Sequence, residues 1–206
     1  MSLCFVSQTD PGSPLADGGG VAIEFLLLTF IICMDNDFYL DQFSKAAARL
    51  DKKILQKKQI EVETGAWLQS VVVKFHKKHW ANKPYEKPQT GAAIFFSVWI
   101  SGKAEKENKI YYNIHALRLR QLKGYKIESR KFAAAFRKKF KSFERNWDNV
   151  SVDFGPLTLM EGWKNFNAED LQNNITELAG QFLEIDFIID ELLIDCKLPV
   201  AKNKKL

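Results

Sequence analysis

The chain reads as an α+β protein: a small antiparallel sheet, made of a hairpin plus short strands, packed with four or so helices and ending in a long C-terminal helix. Three observations predict this. Ala92–Ile100 ("AAIFFSVWI") is apolar on both faces and β-rich, as an interior strand is. A second such run, "IYYNIHALRLRQL", follows a short charged connection, "SGKAEKENK", which is the pattern of a hairpin. On either side, apolar residues recur at helical spacing, and strands that are neighbours in sequence with helices to either side make an α+β domain.

At 206 residues and 46% hydrophobic, with sixteen Phe and five Trp, the chain can bury one good-sized core and is unlike a disordered polymer. Residues 1–33 stand apart. "MSLCFVSQTDPGSPLADGGG" is aperiodic, and Val21–Cys33 is a nearly continuous apolar block interrupted by Glu24. Its thirteen residues fall short of the roughly 20 a spanning helix needs, and no Lys or Arg precedes it as in a secretory signal. The expectation is a non-core extension upstream of a natural start at Met34, with an anchor or uncleaved signal as the competing reading. One domain then spans 34–198, and 199–206 form a basic flexible tail.

Within the domain, Asp37–Ile60 predicts one amphipathic helix, with Phe38, Leu40, Phe43, Ala47, Leu50, Ile54 and Leu55 on one side. Lys52, Lys53, Lys57 and Lys58 crowd its C-terminal half, where cations suit the helix dipole. "AWLQSVVVKFHKKHW" places Trp67, Val71 and Phe75, extending to His79, at spacings of four and is read as a second helix, although its Val run also suits a strand. Residues 81–91 form a loop with two prolines. After the hairpin, Arg118 and Arg120 alternate with Leu117, Leu119 and Leu122 and predict a basic face on the far half of the second strand. Glu128–Trp147 ("ESRKFAAAFRKKFKSFERNW") is a helix oily on one side and cationic on the other, with Ser129 as its expected N-cap. Val150, Val152 and Phe154 then alternate over a short strand before Gly155-Pro156 turns the chain. Last, Leu171, Ile175, Leu178, Phe182, Ile185, Ile189 and Leu192 form a 4-3 helical stripe, capped by Asn167.

Charge is the main functional signal. The net value of +5 hides two opposed blocks: eleven cations against two carboxylates over Arg118–Arg145, and eight carboxylates with no Lys or Arg over Asn167–Asp195. If the blocks face each other they neutralise; if not, the cations form a phosphate-tracking stripe. The candidate anion- or nucleic-acid-binding residues are Arg118, Arg120, Lys126, Ser129, Arg130, Lys131, Arg137, Lys138 and Lys141. Arg130 and Lys131 occupy the first helical turn, the unfavourable end for cations, and with Ser129 they suggest an anion site. The expected function is binding of nucleic acid or another polyanion without strong sequence preference, since no zinc-finger, helix-turn-helix or RNP-like pattern is present. Tyr111, Tyr112 and Tyr125 lie near these cations, and residues of this kind more often belong to a core or a sheet edge than to a stacking platform.

Two alternatives stand beside it. The acidic helix is a candidate surface for a protein partner or a homodimer through residues 167–195. Asp153, Glu161 and Lys164 are an imperfect Mg²⁺-hydrolase constellation, with the Glu–Lys spacing one residue too long. His76, His79 and His115 are the remaining metal candidates, and the lysines between the first two argue against a cation there. No phosphate-binding loop or nucleophile elbow appears, no cofactor is implied, and the chain leans away from an enzyme. Cys4, Cys33 and Cys196 share no metal or redox spacing and read as reduced thiols of a cytoplasmic protein.

Overall fold

Five strands pair in sequence order into one antiparallel sheet, β1-β2-β3-β4-β5, with helices against one face. The computed structural model describes residues 34–82 and 92–199. The extension 1–33, most of the loop 81–91 and the tail from 200 lie outside the described residues.

Asp35 caps α1 (Asn36–Ala48) by accepting from the Phe38 amide at 3.0 Å. The single long helix expected over Asp37–Ile60 is in fact two. Asp51 caps a new helix, α2 (Lys52–Lys58), accepting from Lys53 N at 2.8 Å and Ile54 N at 3.2 Å. A short acidic side chain that satisfies orphan amides in this way favours a restart over continuation. α1 buries Tyr39, Phe43 and Ala46, whereas α2 buries nothing.

The helix expected over Ala66–Trp80 is a β-hairpin instead. β1 (Ile60–Trp67) pairs with β2 (Ser70–Lys77) through Leu68 and Gln69, both at positive φ (49° and 61°), a two-residue turn whose twist suits hairpins. Spacings of four fit a strand as well as a helix, because four is a multiple of two. The β-branched run decides it: Val71, Val73 and Phe75 face the core, and Val72, Lys74 and His76 the other side. A 3₁₀ turn, Lys78–Trp80, follows and buries Trp80 in the core.

The hairpin expected next is present as β3 (Ala93–Ser101) and β4 (Lys109–Leu117), with a short helix, α3 (Gly102–Lys106), in the charged connection. β4 stops at Leu117. Arg118 takes a left-handed conformation (φ 50°) and Leu119–Gln121 form a 3₁₀ turn, so Arg118 and Arg120 lie on a turn, not on the basic strand face the alternation suggested.

α4 (Ser129–Phe140) buries Phe132, Ala133, Phe136 and Phe140, with the last two rings stacked at 5.7 Å. Each ring contributes about 1.5–3 kcal/mol by leaving water. The next strand lies later than expected. β5 runs Thr158–Asn165, and of the segment 150–154 only Ser151 pairs, bridging to Glu161. Gly162 on β5 faces Tyr112, and any side chain there would collide with the tyrosine ring.

α5 (Leu171–Asp195) lies across the sheet against α1 and α4, and all seven stripe residues are buried. Phe182 stacks on Phe96 of β3 at 4.6 Å. The apolar stripe is therefore covered inside its own domain. Asn167 does not cap α5. It accepts from Asp170 N at 2.8 Å in the turn before it, and Asp170 takes the cap position without a side-chain cap bond.

Candidate functional site

The two charge blocks meet less than their sequences suggest. α4 and α5 pack together, yet among the described residues their charges join in a single pair, Lys139–Glu191 at 2.8 Å. The acids of α5 find other cations. Glu177 pairs with Lys164 (2.6 Å), and Asp186 and Asp190 both pair with Lys77 (2.6 and 2.5 Å). Lys58 is the second cation on Asp186, at 2.8 Å, and His79 lies 2.9 Å from Asp190.

On α4 the expected cations divide into three groups. Lys131 pairs with Glu128 at 2.9 Å and Lys141 with Glu144 at 2.6 Å, both on the surface, where such pairs contribute at most about 1 kcal/mol. Arg137 is structural. Its guanidinium donates to the carbonyls of Phe154 (2.7 Å), Thr158 (3.0 Å), Gly155 (3.1 Å) and Leu159 (3.3 Å), pinning the chain that leads into β5. Arg130 and Lys138 are exposed without an ion-pair partner among the described residues, as are Arg120, Lys123, Lys126 and Arg145. Lys126 is tied at its backbone to the end of α5, donating its amide to the Cys196 carbonyl at 2.8 Å, and exposed Lys197 follows directly there.

The anion site expected at the start of α4 changes character. Glu128 holds the cap position and Ser129 is the first helical residue, and no side chain caps the helix. The Glu128 carboxylate beside Lys131 already supplies the negative charge that this end of the helix favours.

The hydrolase constellation does not assemble. Glu161 lies opposite Asn113 and accepts from its amide at 3.3 Å, on the face away from the helices. Lys164, three residues on, leaves the opposite face toward Glu177 and Asp148. Asp153 is exposed in the loop before β5. The three histidines are also dispersed. His76 lies 3.3 Å from Glu61, His79 contacts Asp190 and stands edge-on to Trp80 (6.2 Å), and His115 contacts Thr158 at 3.3 Å. Among the described residues no group of three or more His, Cys, Asp or Glu side chains is placed to hold a metal.

Two groupings escape sequence reasoning. One is the ion network of Lys58, Lys77, His79, Asp186 and Asp190, in which Lys77 and Asp186 are 4% and 1% exposed. The only hint was Asp186 and Asp190 four apart on an otherwise apolar stretch of helix. Burial alone would raise the Asp190 carboxyl, but hydrogen bonds from His79, Lys77 and Trp80 and the Lys77 charge outweigh it and hold it at about 2. A carboxyl depressed in the folded state stabilises the fold above its unfolded value near 3.8, and that contribution disappears as the pH falls through about 2. Asp190→Asn is therefore expected to destabilise the protein by about 2 kcal/mol at pH 7 and by little at pH 2, read from urea midpoints at the two pH values.

The other grouping lies on the sheet face away from the helices, where Ser97 donates to Asn113 at 2.5 Å and Asn113 to Glu161. Burial lowers the Lys74 ammonium there, with the Glu63 charge opposing. Burial also lowers the His115 imidazole; the Leu157 backbone and Glu161 oppose the shift, and Lys74 adds to it. The signal was the period-two alternation in "FFSVWI" and "YYNIHAL", which shows what shares a face only once the registers are known.

Fold and charge layout define an α+β protein with a five-stranded antiparallel meander, helices on one face and a cationic ridge on α4. No helix among the described residues is long and apolar enough to cross a membrane. Comparison of the chain with protein-family models, curated proteins and solved structures gives no match.

Proposed function

We propose that this protein binds a polyanion, nucleic acid without sequence preference, through the outward side of α4 and the loop before it. One observation carries the reading. Arg130 and Lys138, two turns apart on α4, are exposed and have no ion-pair partner among the described residues, and Lys123, Lys126 and Arg120 extend the same charge into the loop. Lys141 and Arg145 prolong the ridge beyond the helix, around a shallow depression lined also by Trp147 and Val150. Arg118 stands exposed at the end of β4 and adds to the local charge.

Such a surface acts by neutralising phosphates and releasing counterions, so its affinity is set by salt rather than by base identity. About five phosphate contacts would give a slope of log K against log salt near −3.5 on single strands. Fluorescence anisotropy with labelled single-stranded and duplex oligonucleotides across a salt series tests the reading. Arg130→Ala/Lys138→Ala should weaken binding on every sequence alike and flatten the single-strand slope by about 1.4. No binding by the unaltered protein at low salt would overturn it.

A protein partner on α5 is the second reading. It is favoured by Phe187 and Ile194, seven residues apart and 40% and 69% exposed, with Leu198 (46%) beyond them. A stoichiometric complex that forms without nucleic acid and is lost in Ile194→Glu would support it.

A further inference from the structure

The loop that leads into β5 keeps two apolar side chains in water. Phe154 is 36% exposed and Leu157 54%. The backbone that carries them is tied down on both sides. Ser151 exchanges both backbone hydrogen bonds with Glu161 of β5, at 2.8 and 3.0 Å, and its Oγ accepts from the Asp153 amide at 3.1 Å. Thr158 donates to the Gly155 carbonyl at 3.3 Å, closing a turn with Pro156 at its second position, where a fixed φ suits it. The Ala116 amide donates to the Leu157 carbonyl at 2.8 Å and fastens the loop to the end of β4. None of these ties involves Arg137.

This loop runs beside the cationic side of α4. The Arg137 guanidinium reaches the Phe154 carbonyl at 2.7 Å. Arg130, Ala134, Arg137 and Lys141 follow one another at spacings of four and three, which places them along one side of the helix and its C-terminal cap. The hydrogen bond from Lys141 to Glu144 raises the Lys141 ammonium, as does the Glu144 charge, and Asp153 adds to the shift from the loop. An exposed aromatic ring on a fixed loop therefore stands next to a row of cations.

We propose that Phe154 is a stacking platform for bases, which makes the cationic side of α4 a site for single-stranded nucleic acid; this role rests on the polyanion reading. The cations take phosphates, while the ring takes the flat face of an unpaired base, which every base offers whatever the sequence. In a duplex those faces are stacked on one another and a surface ring cannot reach them. Duplex is then held by its phosphates alone. Asp153, exposed beside Phe154, repels a phosphate at that spot and tolerates a neutral base. The same carboxylate opposes insertion of the loop into an anionic membrane, the other partner that Phe154 and Leu157 next to cations would suit.

The test is fluorescence anisotropy of the full chain at low salt with three labelled probes. These are a single strand, the same strand in duplex, and a strand of equal length made of abasic deoxyribose phosphates. The single strand should bind about tenfold tighter than the abasic strand, which has the same phosphates and no bases. Phe154→Ala should raise the dissociation constant for the single strand about tenfold and leave the duplex and the abasic strand unchanged. The slope of log K against log salt should not move, because no phosphate contact is lost. Phe154→Tyr should bind as the parent does. Phe154→Leu keeps an apolar side chain without a ring and should behave as Phe154→Ala, so the comparison survives if the alanine variant does not fold. Equal binding of single and abasic strands would overturn the stacking role and leave the polyanion reading in place. So would Phe154→Ala and Phe154→Leu proteins that bind the single strand as the parent does. Failure of all three probes to bind would overturn both. Binding to phosphatidylserine vesicles that is lost in Phe154→Ala, with single-strand binding intact, would overturn it and assign the loop to a membrane.

Discussion

Lys77→Met is expected to lower the unfolding free energy by about 3–5 kcal/mol, one of the largest losses available from a single side chain here. Lys77 is 4% exposed at the end of β2, with its ammonium 2.6 Å from Asp186 and 2.5 Å from Asp190. Asp190 keeps Trp80 and His79 as donors when Lys77 is removed. Asp186 does not fare as well: it is 1% exposed and among the described residues would retain only Lys58, at 2.8 Å, whose own side chain is 34% exposed. The loss is thus mainly the cost of a carboxylate left under-compensated in the interior. The double substitution Lys77→Met/Asp186→Leu removes that charge with its partner and should recover most of the stability. Urea unfolding of the two variants checks this. A double variant no more stable than the single one would mean that the pair acts through something other than charge compensation.

Arg137→Met should cost about 3 kcal/mol, and Arg137→Lys should recover little of it. The guanidinium reaches four carbonyls in residues 154–159, with Nη2 shared among Phe154, Gly155 and Thr158 and Nε turned to Leu159, a spread over two nitrogens that a single ammonium does not reproduce. Hydrogen bonds from a charged donor are worth about 1.5–3 kcal/mol, and the freed carbonyls regain water only where the chain is exposed. Leu159 is fully buried, so its carbonyl depends most on Arg137. Urea midpoints give the stability loss. The amides of residues 158–160 should also exchange with solvent faster in Arg137→Met, while those of β2 and β3 hold. Oligonucleotide binding separates this residue from its neighbours. A folded Arg137→Lys protein should bind as the parent does, whereas Arg130→Ala/Lys138→Ala should not.

Arg137 also shows where sequence reasoning stopped. In "AFRKKFK" it is one cation among several, and nothing local separates it from Lys138. Its role depends on carbonyls some twenty residues later, which only the packing of α4 on β5 brings to it. The same limit applies to Ser129. Three residues before a buried Phe it looked like a cap, but the helix begins one residue earlier, and a one-residue change of phase removes the role. The Ala66–Trp80 segment failed for a different reason. A spacing of four satisfies both the helical and the strand period, so Val71 and Phe75 could not choose between them, and the turn at Leu68-Gln69 carries no glycine to announce itself.

The sequence by itself determined the α+β class, the β3–β4 hairpin, the buried faces of α4 and α5, and the existence of two opposed charge blocks. These follow from local periodicity and composition, which act over one or two turns. Tertiary structure alone decided how the charges are matched. Carboxylates of α5 turned to Lys58, Lys77 and Lys164, leaving Arg130 and Lys138 of α4 without an ion-pair partner among the described residues. It also decided that Glu63, Lys74, Ser97, Asn113 and Glu161, one from each strand, line up on the face away from the helices. Ion pairing and cross-strand register depend on distances between residues remote in sequence, and the loops and packing that set those distances leave no periodic trace in the chain.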